Sequence, residues 1–416
     1  MKFGVFYELQ LPKPWKAGSE HRLVKDALAQ VELADRLGFD YAWCVEHHFL
    51  EEYSHCSSPE VFLAAAAART TRIRIGHGIR QVIPAYNHPA RTAEGLGMLD
   101  LVSDGRVEFG IGEGATRLEL GGFGIPAKEK RALALEAAGQ VADMMVMEPY
   151  PGFEGKSFSM PCRNVLPKPL QKPHPPMWMA CTNRDTIREA AKNGVGALAF
   201  AFVDPGEARA WSSIYYDIIR SEECVPVGHS VNANIAMVSA FSIHHDRAEA
   251  IRRGQEGFDF FYYAINAMVA EDARPGRSRL WESFQHARGG LGEEQVASAA
   301  DPAYRGSGIG TPDDMRAHLR EFQDAGVDQV IFLQQAGHNR HAHICEALEL
   351  FAAEVLPDFG REAAAREARK QEELKPWIER ALARKRVRPA MRDEDIPVVT
   401  ASRSSAQINA TGTPRI

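Results

Sequence analysis

The stretch LDLVSDGRVEFGIG, residues 99–112, joins a predicted helix to a predicted strand. The helix is expected over residues 89–102, and the strand, the fourth along the chain, over residues 106–112. The strand is mainly apolar along its whole length, which is typical of a parallel strand that is buried on both faces. The same alternation of strand and helix continues from this point towards both ends of the chain.

Eight buried strands are predicted, at residues 2–7, 41–46, 72–81, 106–112, 177–180, 197–202, 231–241 and 329–334. Helices are predicted at residues 19–37, 59–70, 89–102, 128–147, 184–193, 205–223 and 342–356, and a further helix begins at Thr311-Pro312 with a threonine N-cap. Eight strand–helix units predict an α/β fold, a parallel (β/α)8 TIM barrel. An open doubly wound sheet is the alternative, and the count of eight favours the barrel.

Three stretches interrupt the alternation. Residues 149–176 are rich in proline, which disfavours both a helix and a central strand and therefore predicts an ordered loop. Residues 254–310 form a long irregular insertion after strand seven, with some helix, and are the expected lid. After Pro357 a charged, solvated helix is predicted over residues 360–388, with a face that could meet another subunit, and residues 389–416 predict a flexible or surface-hugging tail. We therefore divide the chain into a catalytic barrel domain (1–356) and a helical tail (357–416).

Composition excludes several classes of partner and location. The 416 residues are 45% hydrophobic and 25% charged with a net charge of −6, which gives no reason to expect nucleic acid or an anionic membrane as a partner. The six cysteines contain no CxxC pair, so neither a disulfide framework nor a zinc finger is expected. No apolar run approaches the roughly 18 residues that span a bilayer, and the N-terminus is not a signal peptide. These features predict a cytoplasmic protein.

The ends of the second and third strands carry the first candidate residues. Glu46, His47 and His48 follow strand two, where barrel enzymes place their reactive groups. Two imidazoles beside a carboxylate can hold one proton near neutrality, as general acid–base catalysis requires, although a structural pair that caps the strand is an equal alternative. Glycines flank His77 at the end of strand three, which indicates either close approach of a flat ligand or a bulge.

The next two strand ends suggest an anion site. Gly110, Gly112 and Gly114 alternate at the end of strand four, which is a weak phosphate-binding signal and not the Rossmann fingerprint. The segment 180–186 after strand five, which includes Ala180, offers hydroxyl, amide and guanidinium groups at a helix N-terminus. Ordinary helix capping is the alternative there.

Two further clusters are less informative. The histidines of residues 338–343 lack the i, i+4 spacing of a zinc site, so we expect a surface or substrate-loop role and no metal. The aromatic run FDFFYY, residues 258–263, is either a cover over an apolar ligand or core beneath the insertion. With Phe200 and Phe202, it weakly suggests an apolar pocket.

Over residues 2–356 the chain resembles the bacterial luciferase-like monooxygenases. The resemblance rests on Glu46-His47-His48-Phe49, on Asn87-His88-Pro89-Ala90-Arg91 and, most specifically, on residues 99–112. It implies a homodimeric flavoprotein that uses reduced FMN (FMNH2), supplied by a separate NAD(P)H:flavin reductase. In such enzymes O2 is the co-substrate, and a flavin C4a-peroxide oxygenates a small organic substrate.

The resemblance also implies site residues. His47 matches the histidine that handles the proton on the peroxide, with Glu46 and His48 beside it as further catalytic candidates. Gly78 and Ile79 match a non-prolyl cis peptide against the flavin. A list of positions near the phosphate follows from the same match: Glu113, Gly114, Ala115, Ala180, Thr182, Asn183 and Thr186.

One departure concerns Glu113, because luciferases carry an arginine there. A glutamate would repel phosphate unless Arg117 or Arg184 compensates. Two alternative functions stay open: hydride transfer with the deazaflavin F420 on the same fold, and a non-catalytic flavin-binding protein.

Overall fold

The computed structural model describes residues 1–270, 272–290 and 308–400. Its centre is a closed barrel of eight parallel strands: β1 (Lys2–Tyr7), β2 (Tyr41–Cys44), β3 (Arg74–Gln81), β4 (Val107–Gly112), β7 (Met177–Cys181), β8 (Gly196–Ala199), β9 (Ile235–Ser239) and β12 (Gln329–Gln334). The ladder runs β1-β12-β9-β8-β7-β4-β3-β2 and closes on β1, so the first and last strands are neighbours. The predicted TIM barrel is confirmed.

Helices cover the barrel on the outside. They are α1 (Ser19–Leu37), α2 (Pro59–Ala67), α3 (Pro89–Val102), α4 (Arg117–Gly122), α5 (Lys130–Val146), α6 (Arg184–Lys192), α7 (Pro205–Ile219), α8 (Arg247–Ala270), α9 (Leu280–Gly290), α10 (Pro312–Asp324), α11 (His341–Glu354) and α12 (Leu356–Arg384). The predicted end signals hold: Gly38 ends α1 in the left-handed conformation, and Thr311 caps α10 with its side chain.

Interlocking aromatic side chains fill the barrel. The rings of Trp43 on β2 and Trp178 on β7 meet edge to face across the interior at 5.4 Å. Gly76 on β3 makes room for this layer, since a Cβ there would lie 2.1 Å from the Trp43 ring. Nearer the carboxyl ends of the strands, Phe6 and Phe200 pack at 5.1 Å. The interior is therefore a solid core, and ligands can enter only above it.

Two loop predictions are wrong in detail. Within the proline-rich stretch, β5 (Tyr150–Glu154) and β6 (Ser159–Arg163) form an antiparallel hairpin. Pro151 and Pro161 lie inside these strands, which is tolerated because each strand of a two-stranded hairpin has an open edge. The insertion is largely helical where it is described, since it contains most of α8 and all of α9. Its short strand β11 (Ile309–Gly310) pairs with β10 (Ser242–Ile243). The rest of this prediction, residues 291–307, lies outside the described residues.

The C-terminal helix α12 packs against its own barrel. Its Phe359 ring contacts Phe3 on β1 edge to face at 5.7 Å, and Lys370 pairs with Asp328 at 2.9 Å just before β12. Leu374 is fully buried. The expectation that a face of this solvated helix could meet another subunit therefore needs correction, because the apolar face of α12 covers the amino-terminal end of its own barrel.

Two expectations from composition can be compared with the coordinates. All six cysteines are free thiols. Within the described residues, we find no helix with the length and apolar character needed to cross a bilayer.

We predict opposite effects from two Gly→Ala substitutions. Gly76→Ala should lower the free energy of unfolding by about 1–3 kcal/mol, because the new methyl group overlaps the buried Trp43 ring. Gly95→Ala, on α3, should raise it by up to about 1 kcal/mol, because a Cβ there meets nothing within 4 Å. Urea unfolding followed by circular dichroism measures both values. Equal effects of the two changes would contradict the packing described for Gly76.

Candidate active site

His47 lies just after β2 and is 7% exposed. Its Nδ1 is 2.8 Å from Oε1 of Glu119, a fully buried residue of α4. Its Nε2 is 3.7 Å from Oε2 of Glu8, which follows β1 directly. The second distance is too long for a hydrogen bond. His47 therefore sits between two carboxylates and keeps Nε2 free of a close partner.

Both carboxylates are fixed by their own hydrogen bonds. Glu119 closes a capping box at the start of α4, where its Oε2 accepts hydrogen bonds from the Thr116 backbone N–H and hydroxyl. Glu8 accepts a hydrogen bond from the Tyr53 hydroxyl at 3.0 Å. The Tyr53 ring also contacts Phe261 of α8 at 5.5 Å, so the insertion forms part of this wall.

These neighbours set the charge of His47. Burial acts to lower the pKa of His47, but the carboxylates of Glu119 and Glu8 outweigh it and raise the pKa to about 9. Burial acts to raise the pKa of Glu119. The charge of His47 and its hydrogen bond outweigh this effect and lower the pKa of Glu119 to about 2. Burial raises the pKa of Glu8 to about 7. At neutral pH the site thus holds an imidazolium against one full carboxylate and one that is half titrated.

His48 and Glu46 form a second, separate pair. Nε2 of His48 is 3.1 Å from Oε1 of Glu46. The Glu46 carboxylate also accepts hydrogen bonds from the Gln81 backbone N–H and the Asn87 side-chain amide. It forms an ion pair with the Arg80 guanidinium as well. The sequence placed one carboxylate beside both imidazoles, but in the structure Glu46 holds His48, while Glu119 and Glu8 serve His47.

The glycines at the ends of β3 and β4 surround a bulge. The ladder between these strands skips one residue between His77 and Arg80, so Gly78 and Ile79 protrude. A Cβ at Gly110 would lie 2.2 Å from the His77 carbonyl oxygen, and one at Gly112 would lie 2.3 Å from the Ile79 side chain. The bulge interpretation is therefore confirmed, and packing accounts for the alternating glycines of β4.

The peptide between Gly78 and Ile79 is trans, contrary to the expectation from the family resemblance. The cis peptides of the described residues are Lys13-Pro14, Glu148-Pro149, Leu166-Pro167 and Lys172-Pro173, and all of them precede proline.

Glu113 is neutralised, but not by the arginines that we expected. Its carboxylate lies 3.3 Å from the Lys130 ammonium and 3.2 Å from the Arg131 guanidinium, both at the start of α5. Arg184 is instead paired with Glu207 at 2.5 Å. Two cations against one carboxylate leave a net positive charge at the end of β4, so the glutamate does not prevent anion binding there.

A small cavity of about 50 Å³ adjoins this positive charge between the ends of β4 and β7, and Glu113, Arg131, Ala180 and Thr186 are among its lining residues. The N-terminus of α6 has its own capping box. The backbone N–H groups of Thr182 and Asn183 donate to the Thr186 hydroxyl, and that of Thr186 donates to the Asn183 side chain. The interpretation of these residues as ordinary helix capping is therefore confirmed. Arg131 is the charged side chain of the cavity lining that can bind an anion.

Two buried polar atoms at the barrel mouth also match the hydrogen-bonding groups of a flavin ring. The Gln81 side-chain oxygen and the Tyr86 hydroxyl are buried and have no hydrogen-bond partner among the described residues. The Gln81 oxygen would be 3.3 Å from a Cβ at Gly112, and the Tyr86 hydroxyl 2.5 Å from one at Gly114. Unpaired buried polar atoms are costly, and the polar edge of a flavin ring carries the amide and carbonyl groups that would pair with them. The residues present fit FMN.

Ala115 is the last of the predicted phosphate neighbours. It is exposed and lies between Gly114 and the capping threonine of α4, outside the lining of the small cavity.

Three important residues were missed from the sequence. Glu8 follows the first strand directly, so the rule that found Glu46 would have found it. Glu119 stands three residues after Thr116, which is a capping-box spacing that marks a helix start but not a partner for a histidine. Arg131 lies 18 residues after Glu113, and no local pattern pairs the two.

Comparisons with known proteins identify the family. The family model for luciferase-like monooxygenases matches residues 1–329, and the chain belongs to that family. The alkanal monooxygenase alpha chain of Photorhabdus laumondii subsp. laumondii is 23% identical over 359 residues, 86% of this chain and 97% of that protein. The oxygenase component of a flavin-dependent trigonelline monooxygenase from Acinetobacter baylyi is 26% identical over 199 residues, 47% and 52% of the two chains.

Solved structures show the same fold. Monooxygenase RslO1 from Streptomyces bottropensis superposes with a TM-score of 0.69 at 27% identity, over 86% of this chain and all of that one. The oxygenating constituent of 3,6-diketocamphane monooxygenase from Pseudomonas putida, in complex with FMN, gives 0.66 at 20% identity over 86% and 98%. The F420-dependent tetrahydromethanopterin reductase from Methanopyrus kandleri gives 0.61 at 21% identity over 86% and 99%. The family is one of flavin-dependent monooxygenases, and its fold also carries F420 enzymes.

We predict that the ion pair of His47 and Glu119 stabilises the fold in a pH-dependent way. The folded-state pKa of His47 is raised from 6.5 to about 9, so this stabilisation is complete below about pH 6.5 and is lost as the pH rises through 9. Glu119→Gln should cost about 3 kcal/mol of unfolding free energy at pH 6 and much less at pH 9.5. Urea unfolding at both pH values measures this, with exposed Glu222→Gln as the control. A constant difference would contradict the ion pair.

We also predict that Arg131 binds the flavin phosphate. Arg131→Gln should weaken FMN binding about tenfold but leave the binding of riboflavin, which lacks the phosphate, unchanged. Fluorescence titration measures both affinities. Arg188→Gln on α6, an exposed arginine, is the control and should change neither. Equal losses for FMN and riboflavin would assign Arg131 a structural role.

Proposed function

We propose that this chain is the oxygenase component of a two-component monooxygenase that uses reduced FMN and O2 to oxygenate a small organic substrate. The observation that carries the proposal is His47, an imidazolium held between Glu119 and Glu8 at the mouth of a luciferase-like barrel. Reduced FMN supplies the electrons that activate O2. The relative named as an oxygenase component supports a separate NAD(P)H:flavin reductase as the partner.

The protein's part in the chemistry is to hold and deliver a proton in a dry site. Glu119 fixes Nδ1 of His47, so Nε2 is the atom that carries the transferable proton. Glu8, with its pKa near 7, lies 3.7 Å from Nε2 and could return a proton to it once the two atoms approach to hydrogen-bond distance. Tyr53 and Phe261 close one side of the site and limit the access of water. Lys130 and Arg131 would hold the phosphate.

We propose residues 1–356 as the catalytic unit and a homodimer as the assembly, by analogy with the family. A cytoplasmic location stays a prediction.

The second candidate is F420-dependent hydride transfer, favoured by the F420 enzymes among the structural neighbours. Anaerobic titration of the full chain with reduced FMN and with F420 separates the two. We expect micromolar or tighter binding of reduced FMN and weaker binding of F420. Micromolar binding of F420 with none of FMN would overturn the proposal, and binding of flavin without any effect of His47 substitution on its oxidation would favour a non-catalytic protein.

We predict that oxidation of the bound reduced FMN by O2 titrates with His47. The oxidation rate should fall at least fivefold as the pH rises through about 9, because the imidazolium then loses the proton that it donates. Stopped-flow absorbance measures the rate. His47→Gln should abolish this pH dependence, whereas His48→Gln should keep it, because His48 belongs to the separate pair with Glu46. Identical profiles for wild type and His47→Gln would remove His47 from the proton transfer.

A further inference from the structure

The barrel mouth opens into a chamber with two lobes. One lobe measures about 740 Å³ and the other about 270 Å³, and both are lined by Phe49, Glu51, Leu118 and Pro275. The smaller lobe is also lined by Thr116, whose hydroxyl donates to Glu119, the partner of His47. Thr116 and Glu119 therefore connect the wall of the smaller lobe to His47, which itself lines neither lobe.

The chamber wall combines apolar surface with arginines. Phe49, Leu118 and Met268 supply apolar contacts. Arg117 lines the larger lobe, and Arg274 and Arg277 line the smaller one. All three arginines are exposed.

These three guanidinium groups have no ion-pair partner in the described part of the chain. The other cations of the lining are matched: Lys13 pairs with Glu51 at 2.9 Å, and Arg279 lies 3.5 Å from Glu282. Asp272 is the one described acid of the lining that is likewise unpaired. Three arginines without an ion-pair partner against one aspartate leave the rim cationic, although the Arg277 guanidinium also donates a hydrogen bond to the Gly276 carbonyl.

The segment that carries Arg274 and Arg277 is held in place by two glutamates. Glu51 accepts hydrogen bonds from the backbone N–H groups of Gly276 and Ser278. Glu52, which is fully buried, accepts them from the N–H groups of Leu280 and Trp281 at the start of α9. Arg274 and Arg277 therefore lie on a fixed loop, and the carboxylates of Glu51 and Glu52 are already occupied by its backbone donors.

The carboxylates below the chamber are already compensated. Glu8 and Glu119 flank the imidazolium of His47, and Glu46 is paired with Arg80. The unpaired cations of the chamber are therefore the arginines of the rim, which attract an anionic group, while an apolar group finds Phe49, Leu118 and Met268 along the wall. The chamber thus orients an amphiphilic anion with its charge outward.

We propose that the substrate is an organic anion with an apolar body, that Arg117, Arg274 and Arg277 hold its anionic group, and that the apolar end enters first towards His47. Oxygenation then falls on the end remote from the charge. This inference rests on the proposed function for the reaction, but the binding of the anion does not depend on the flavin.

Calorimetric titration of the flavin-free full chain with octanoate and with octanol tests the proposal. Octanoate should bind at least tenfold more tightly than octanol, and its affinity should fall as NaCl is raised from 0.05 to about 0.5 M, because salt screens exposed charges. Arg274→Gln combined with Arg277→Gln should weaken octanoate about tenfold and leave octanol unchanged. Arg320→Gln on α10, an exposed arginine away from the chamber, is the matched control.

The outcomes separate this inference from the proposed function. Equal affinities for octanoate and octanol, or an unchanged octanoate affinity in the double variant, overturn the anion site even if reduced FMN binds and reacts with O2. Salt-sensitive octanoate binding that the double variant loses supports the site, even if the flavin experiments fail. If the double variant instead weakens FMN and not octanoate, the arginines bind the cofactor and the substrate proposal is wrong.

Discussion

His47 carries a positive charge where water scarcely reaches, and much of the site follows from the need to compensate that charge. An ion without partners in such a place costs several kcal/mol, so it exists only if carboxylates are brought to it. They come from two distant parts of the chain, Glu8 after β1 and Glu119 in α4. The ion cluster therefore ties the first strand, the second strand end and the short helix after β4 into one arrangement.

The adjoining floor of the mouth is shaped by backbone. The bulge at Gly78 and Ile79 pushes carbonyl oxygens towards β4, and only glycine at position 110 leaves room for them. This close approach replaces side chains by flat backbone at one side of the mouth. The mouth therefore combines a rigid ion cluster with a wall that carries few side chains.

The fold was readable from the sequence because its signals are local. A few neighbouring residues are enough to recognise a buried strand, a helix cap such as Thr311 or a helix end such as Gly38. The hairpin within residues 149–176 was missed because prolines at a strand edge look like prolines in a loop. The docking of α12 was missed because its few buried residues, such as Leu374, are outnumbered by charges.

The site was only half readable, for a physical reason. Strand-end position picked out His47 and Glu46, but the partner of each depends on contacts across the barrel. Glu119 lies 72 positions from His47, and no spacing rule joins them. The same limit applied to the proposed phosphate site. The sequence showed that the negative charge of Glu113 needs a cation beside it. That cation, Arg131, lies on a helix whose direction only the fold determines.

The pairing of β1 with β12 has a consequence for how the chain is made. During synthesis residues 2–7 emerge more than 300 residues before their ladder partners at 329–334. Until then one edge of β1 lacks its ladder partner, and Phe3 lacks the cover that Phe359 provides. Until then the nascent barrel is an open sheet with unpaired strand edges and exposed apolar side chains. Chaperones bind such surfaces.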